Sequence, residues 1–83
     1  MEYVIAVYRS RNVSMRAYNF LLSQGVTCAL VSTPRNANVG CGLSVKFGKA
    51  DLPTYKQVLS SAETFVGFFL IKNTYTGSTV VRL

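Results

Sequence analysis

Two short runs, residues 3–8 and 66–71, are apolar on both of their faces. In the first, Tyr3, Ile5 and Val7 alternate with Val4, Ala6 and Tyr8; in the second, Phe68 and Leu70 stand opposite Phe69 and Ile71. A strand with one wet face alternates apolar with polar residues, so these runs predict strands covered on both sides. The chain has 83 residues, enough for one small domain. A domain of that size hides only about 60 % of its unfolded surface, so its core has to be built around such central strands.

Between the two runs the hydrophobic period changes twice. Residues 13–24 follow a helical period, with Ala17, Phe20 and Leu21 on one side and Arg16, Asn19 and Ser23 on the other. Asn12 or Ser14 is the expected N-cap, and Gly25 the left-handed stop. Residues 26–32 read as a second strand, ended by Thr33-Pro34 because proline has no N–H for a ladder. Residues 35–40 are a loop by composition. In the third strand, residues 42–47, Leu43, Val45 and Phe47 take one face and Ser44 and Lys46 the other. Asp51 caps a second helix that tolerates Pro53 in its first turn. Its buried stripe is Leu52, Tyr55, Val58 or Leu59, and Ala62.

The order βαββαβ predicts an α+β fold, a two-layer ferredoxin-like sandwich with a four-stranded antiparallel sheet and both helices on one face. Residues 1–71 make that domain. Residues 72–83 form a C-terminal extension with a turn signal at Thr76-Gly77 and a strand-like Thr79-Val80-Val81. It would add a fifth strand in cis or reach a neighbour as a swapped arm. The apolar sheet face without helices calls for a cover, either a homodimer through that face or the extension itself.

Composition narrows the function. The chain has no histidine, which removes histidine acid–base chemistry and most zinc sites. With only three acidic residues as well, a self-contained enzyme is the least favoured class. Nothing in the residues implies a metal or a cofactor. The longest apolar run, residues 65–71, is far short of the roughly 20 residues that span a bilayer, so no membrane is expected. The start, Met-Glu-Tyr, has no basic stretch followed by an apolar one, and the expectation is a soluble, cytoplasmic chain with its two cysteines reduced. The net charge of +6 favours an acidic protein, RNA or a phosphate-bearing ligand, or else serves solubility alone.

The candidate site is Cys41, set between Gly40 and Gly42. Bare backbone on both sides leaves its sulfur accessible and lets peptide N–H groups approach it. The thiolate is the reactive form, and a nearby cation favours it. Arg35, at the other end of the same loop, is the candidate for that charge, with Pro34 and Lys46 completing the binding set. The competing reading makes Cys41 a small apolar residue under a hairpin. Cys28 lies in an apolar strand and reads as core. A Cys28–Cys41 disulfide is not expected, because a hairpin puts the two at opposite ends.

Thr33-Pro34-Arg35, five further residues, Cys41-Gly42-Leu43 and then Lys46-Phe47 resemble the signature of the Se/S carrier protein-like family, small bacterial proteins. The resemblance runs from Tyr3 to about Ile71. It implies a sulfur or selenium carrier with Cys41 as acceptor and Arg35 as its neighbouring charge. It also implies a cysteine desulfurase-like donor and a sulfur or selenium acceptor protein as partners. The loop after Arg35 is uncharged, and the extension runs past the usual end. Two other readings stay open. One is a non-catalytic RNA- or anion-binding module, since RNA-recognition domains share the element order. The other is a structural or regulatory subunit that uses the open sheet face.

Overall fold

The computed structural model describes residues 1–35 and 42–83. Seven main elements follow one another: β1 (Glu2–Tyr8), α1 (Arg11–Ser23), β2 (Cys28–Ser32), β3 (Leu43–Phe47), α2 (Leu52–Ser60), β4 (Phe65–Thr74) and β5 (Gly77–Arg82), with a single 3₁₀ turn, Lys49–Asp51, before α2. The strands form one sheet in the order β2-β3-β1-β4-β5, and every neighbouring pair is antiparallel. The fold is therefore α+β, with two α-helices and five antiparallel strands among the described residues. It is not the clean four-stranded ferredoxin-like sandwich expected.

The extra strand has a local cause. β4 runs ten residues, past the end of β1, and Thr74 and Gly77 then pair across a two-residue turn. Gly77 there has φ +135°, a conformation that L side chains rarely adopt. The chain returns along β4 as β5, pairing in cis from Thr74–Gly77 to Phe69–Arg82.

Register divides the apolar residues between two faces. Val4, Ala6 and Tyr8 of β1 point to the helices, joined by Val45 and Phe47 of β3 and Phe68 and Leu70 of β4. Val13, Ala17 and Leu21 of α1 and Leu59 of α2 complete that core. Of the two alternatives for the α2 stripe, Leu59 is buried and Val58 is exposed. On the opposite face Ile5, Val7, Phe69 and Ile71 form a second buried cluster, flanked by Tyr3, Val31, Val66 and Val80.

The helix ends differ from expectation in two places. The N-cap of α1 is Ser10, whose hydroxyl accepts from the Val13 N–H, so neither Asn12 nor Ser14 caps it. Ser14 is instead fully buried. Asp51 stands at the start of α2 but makes no side-chain cap bond, because the 3₁₀ turn already leads the backbone into the helix. Gly25 ends α1 with φ +77°, and Val26 N–H closes back on Leu21 O. Among the described residues no helix is long and apolar enough to cross a membrane.

Candidate functional site

The β2–β3 hairpin carries the segment that holds the candidate thiol. Cys41 and Gly40 lie outside the described residues. What is described is the base to which that segment is bonded. Thr33 N–H donates to Gly42 O at 2.9 Å, which closes the hairpin. Gly42 has φ +87°, so the turn into β3 uses a left-handed residue. A Cβ there would meet nothing within 4 Å, so the need for glycine is conformational rather than steric.

Two hydroxyl contacts fix this base. Ser14 Oγ, from the first turn of α1, donates to Leu43 O at 3.0 Å. The hydroxyls of Thr33 and Ser44 hydrogen-bond across β2 and β3, with Ser44 fully buried. The base is thus tied to the N-terminal end of α1, and no run of apolar spacing marks it. Serine in a helix read as N-cap material, yet here its hydroxyl crosses to a strand carbonyl, a use invisible to helix statistics.

The other expected site residues divide. Pro34 is half-buried and Arg35 exposed, both at the β2 end of the hairpin. Lys46 is elsewhere. It lies four residues along β3 from Gly42, roughly 14 Å at strand rise, with its amine 4.4 Å from the centre of the Tyr3 ring. The structure brings Pro34, Arg35 and Gly42 to one end of the sheet and places Lys46 toward the other.

Cys28 is a wall residue. It pairs with Phe47, at the far end of the β2–β3 ladder from the Thr33–Gly42 closure. It stands five positions before Thr33, so it is roughly 17 Å from Gly42, the residue bonded to Cys41. Its Sγ reaches Tyr18 O at 3.8 Å, and burial pushes the thiol pKa up. Both effects favour the neutral thiol over the thiolate.

Charge is distributed unevenly. Glu2 is shared by Lys72 at 3.5 Å and Lys49 at 3.8 Å, and Glu63 pairs with Arg16. Of the nine basic residues, three are thus engaged and six (9 − 3) have no carboxylate partner among the described residues. Arg35 is one of the six. Two others, Lys46 and Arg82, lie on the open sheet face over the rings of Tyr3 and Phe69. For stacking bases that face offers little: β3 presents Ser44 and Lys46, Phe69 is buried, and Tyr3 is half-buried.

Among the described residues no group of three or more His, Cys, Asp or Glu side chains is placed to hold a metal ion. Neither the curated proteins nor the solved structures contain a match to this chain. A family model does match, over residues 2–67, from β1 through the hairpin and both helices into β4. That span holds the whole Thr33-to-Phe47 signature, and the chain belongs to the family described as "Putative Se/S carrier protein-like".

Proposed function

We propose that the chain is a carrier that accepts sulfane sulfur, or selenium, on Cys41 and relays it to an acceptor protein. Family membership over residues 2–67 is the observation that carries this reading. Three features of the site support it. The segment with Cys41 is bonded to a base held by Thr33, Ser14 and Ser44. Arg35, at the other end of the segment, is exposed and has no carboxylate partner among the described residues, so its charge is available to a thiolate. The other thiol, Cys28, lies 3.8 Å from Tyr18 O, and burial pushes its pKa up, away from the reactive thiolate.

The chemistry needs no acid or base from this chain. The Cys41 thiolate attacks the outer sulfur of the donor enzyme's persulfide. A new S–S bond forms on Cys41 as the donor's S–S bond breaks, and the donor cysteine leaves as thiolate with the electron pair. No external oxidant is consumed, because the sulfane sulfur moves at constant oxidation state. Reversal of the same step against an acceptor thiol unloads the carrier.

The test is intact mass after incubating the reduced protein with a cysteine desulfurase and cysteine. The expected product gains one sulfur, loses it to dithiothreitol, persists in Cys28→Ser and is absent in Cys41→Ser. An adduct retained in Cys41→Ser would overturn the assignment.

A further inference from the structure

Resting on the carrier reading, we propose that the outer edge of β2, which pairs with no strand among the described residues, is the docking strand for the partner protein, which adds an extended segment antiparallel to Cys28–Ser32. Hydrogen-bond parity sets which groups are free. Thr33 N–H bonds to Gly42 O, the residue opposite it in the β2–β3 register, so by alternation Val31 and Ala29, two and four residues back, also face their bonding groups inward to β3. The backbone N–H and C=O groups of Cys28, Leu30 and Ser32 therefore point outward, away from the sheet.

The two edges of the sheet are not equally guarded. Natural edge strands are blunted by charge, proline or a bulge. β5 carries Arg82, folded inward over the sheet with its Nη2 on Val66 O at 2.8 Å. β2 reads Cys-Ala-Leu-Val-Ser, with no charge, proline or glycine and no irregularity in its pairing. Leu30 packs on the helix-side core and Val31 on the opposite cluster, both half-buried. A strand laid beside them would cover both at once.

The surroundings select the occupant. A groove of about 390 Å³ opens at the Cys28 end of the strand, walled by Tyr3, Cys28 and Phe47 with the charged Glu2, Lys46 and Asp51 also lining it, so it has room for an apolar side chain beside those polar groups. At the Ser32 end the chain runs directly into Arg35, a cation without a carboxylate partner among the described residues. An antiparallel visitor thus carries a carboxylate near its N-terminal end, uncharged β-formers in the middle and an apolar anchor last. A second copy fits less well, since each chain brings a further +6. In sequence, β2 and Thr33-Pro34-Arg35 precede the segment that holds Cys41, so a partner seated on β2 is bound on the strand that leads into it. Main-chain bonds would supply affinity, and the groove and Arg35 specificity.

The probe is the peptide acetyl-Glu-Glu-Val-Thr-Val-Thr-Leu-amide, titrated into the ¹⁵N-labelled full chain and followed by amide shifts. The expected result is a saturable change largest at Cys28, Leu30 and Ser32. N-methylating the peptide on the three residues that face β2 weakens binding by about tenfold or more, because each methyl removes a main-chain donor. Val80→Pro on the other edge leaves binding unchanged. Equal binding of the methylated peptide, or shifts centred on residues 78–82, overturns the proposal. So does a chain that is already dimeric with these amides protected before peptide is added, because a second copy then holds the edge. The two proposals fail separately: peptide binding without a sulfur adduct on Cys41 removes the carrier reading, and an adduct without peptide binding removes the docking strand.

Discussion

The two faces of this sheet are buried to the same degree by different means. On one, α1 and α2 lay Val13, Ala17, Leu21 and Leu59 over the strands. On the other no helix lies among the described residues, yet Ile5 and Val7 are fully buried and Ile71 is 2 % exposed. Part of that cover comes from cations. Lys46 lies on the Tyr3 ring, and Arg82 lies 5.6 Å from the centre of the Phe69 ring. Long basic side chains carry enough hydrocarbon to shield an apolar surface while their heads stay wet. An apolar second face therefore does not by itself require a partner.

The sharpest way to break this comparison is to cut one methyl-rich side chain from each face. Leu21→Ala on the helix side is expected to cost about 2–5 kcal/mol, the usual range for a buried leucine. Ile71→Ala on the other side is expected to fall in the same range, because its side chain is as well buried within one chain. Both are read by urea unfolding of the isolated protein. A cost for Ile71→Ala below half that of Leu21→Ala would mean that the second face is closed only when something else covers it.

A second effect belongs to the helix side alone. Tyr8 is fully buried, and its hydroxyl donates to Leu59 O at 2.8 Å. Burial pushes its pKa up to about 12. The native state thus holds a proton that the unfolded chain loses near pH 10, the ordinary tyrosine value. Stability from this group is complete below pH 10 and falls as pH rises toward 12, by roughly 2–3 kcal/mol in all. Tyr8→Phe should lack that alkaline loss while the wild type shows it. Parallel stability–pH curves for the two proteins would remove the assignment.

Much of this arrangement was legible in the sequence. The six elements up to residue 71 follow period changes that strands and helices cannot share, and Gly25 marks the end of α1 because only a left-handed residue closes that turn. The parts that were not legible depend on distant contacts. Ser14 reads as a cap and is a buried cross-link to β3. The turn before β4 has no glycine; Thr64 takes the left-handed conformation there, with Arg9 N–H on its carbonyl and Ser10 N–H on its hydroxyl. Lys46, grouped by sequence with the thiol loop, is drawn to a ring on β1 through register. Local pattern sees strands and helices; it does not see which far residue sits opposite.

Gly67 is the position where such a distant contact left a trace, since glycine inside a strand often marks a close approach. A Cβ there would stand 3.2 Å from Arg82 Nη2 and 3.3 Å from its Cζ. The missing side chain is the space in which the guanidinium lies between Val66 O and the Phe69 ring. Gly67→Ala and Arg82→Ala should each disturb the same seat, so a double-mutant cycle is expected to show a coupling of about 0.5–1.5 kcal/mol. Additive costs would mean that Arg82 finds an equal place elsewhere.

Lys46 tests the smallest part of the comparison, whether the stem or the charge does the covering. Lys46→Met keeps a long apolar chain and removes the amine from the Tyr3 ring, at an expected cost of about 0.5 kcal/mol for a half-exposed cation–π contact. Lys46→Ala removes the stem too, bares part of the neighbouring Ile5 row, and should cost about 1 kcal/mol. The difference between the two variants is the contribution of the hydrocarbon. If Met and Ala cost the same, the cover is electrostatic, and raising the salt should then weaken the wild type toward both. If Met costs nothing, the ring contact is incidental, and the open face is closed by aliphatic length alone, the same physics that closes the helix side.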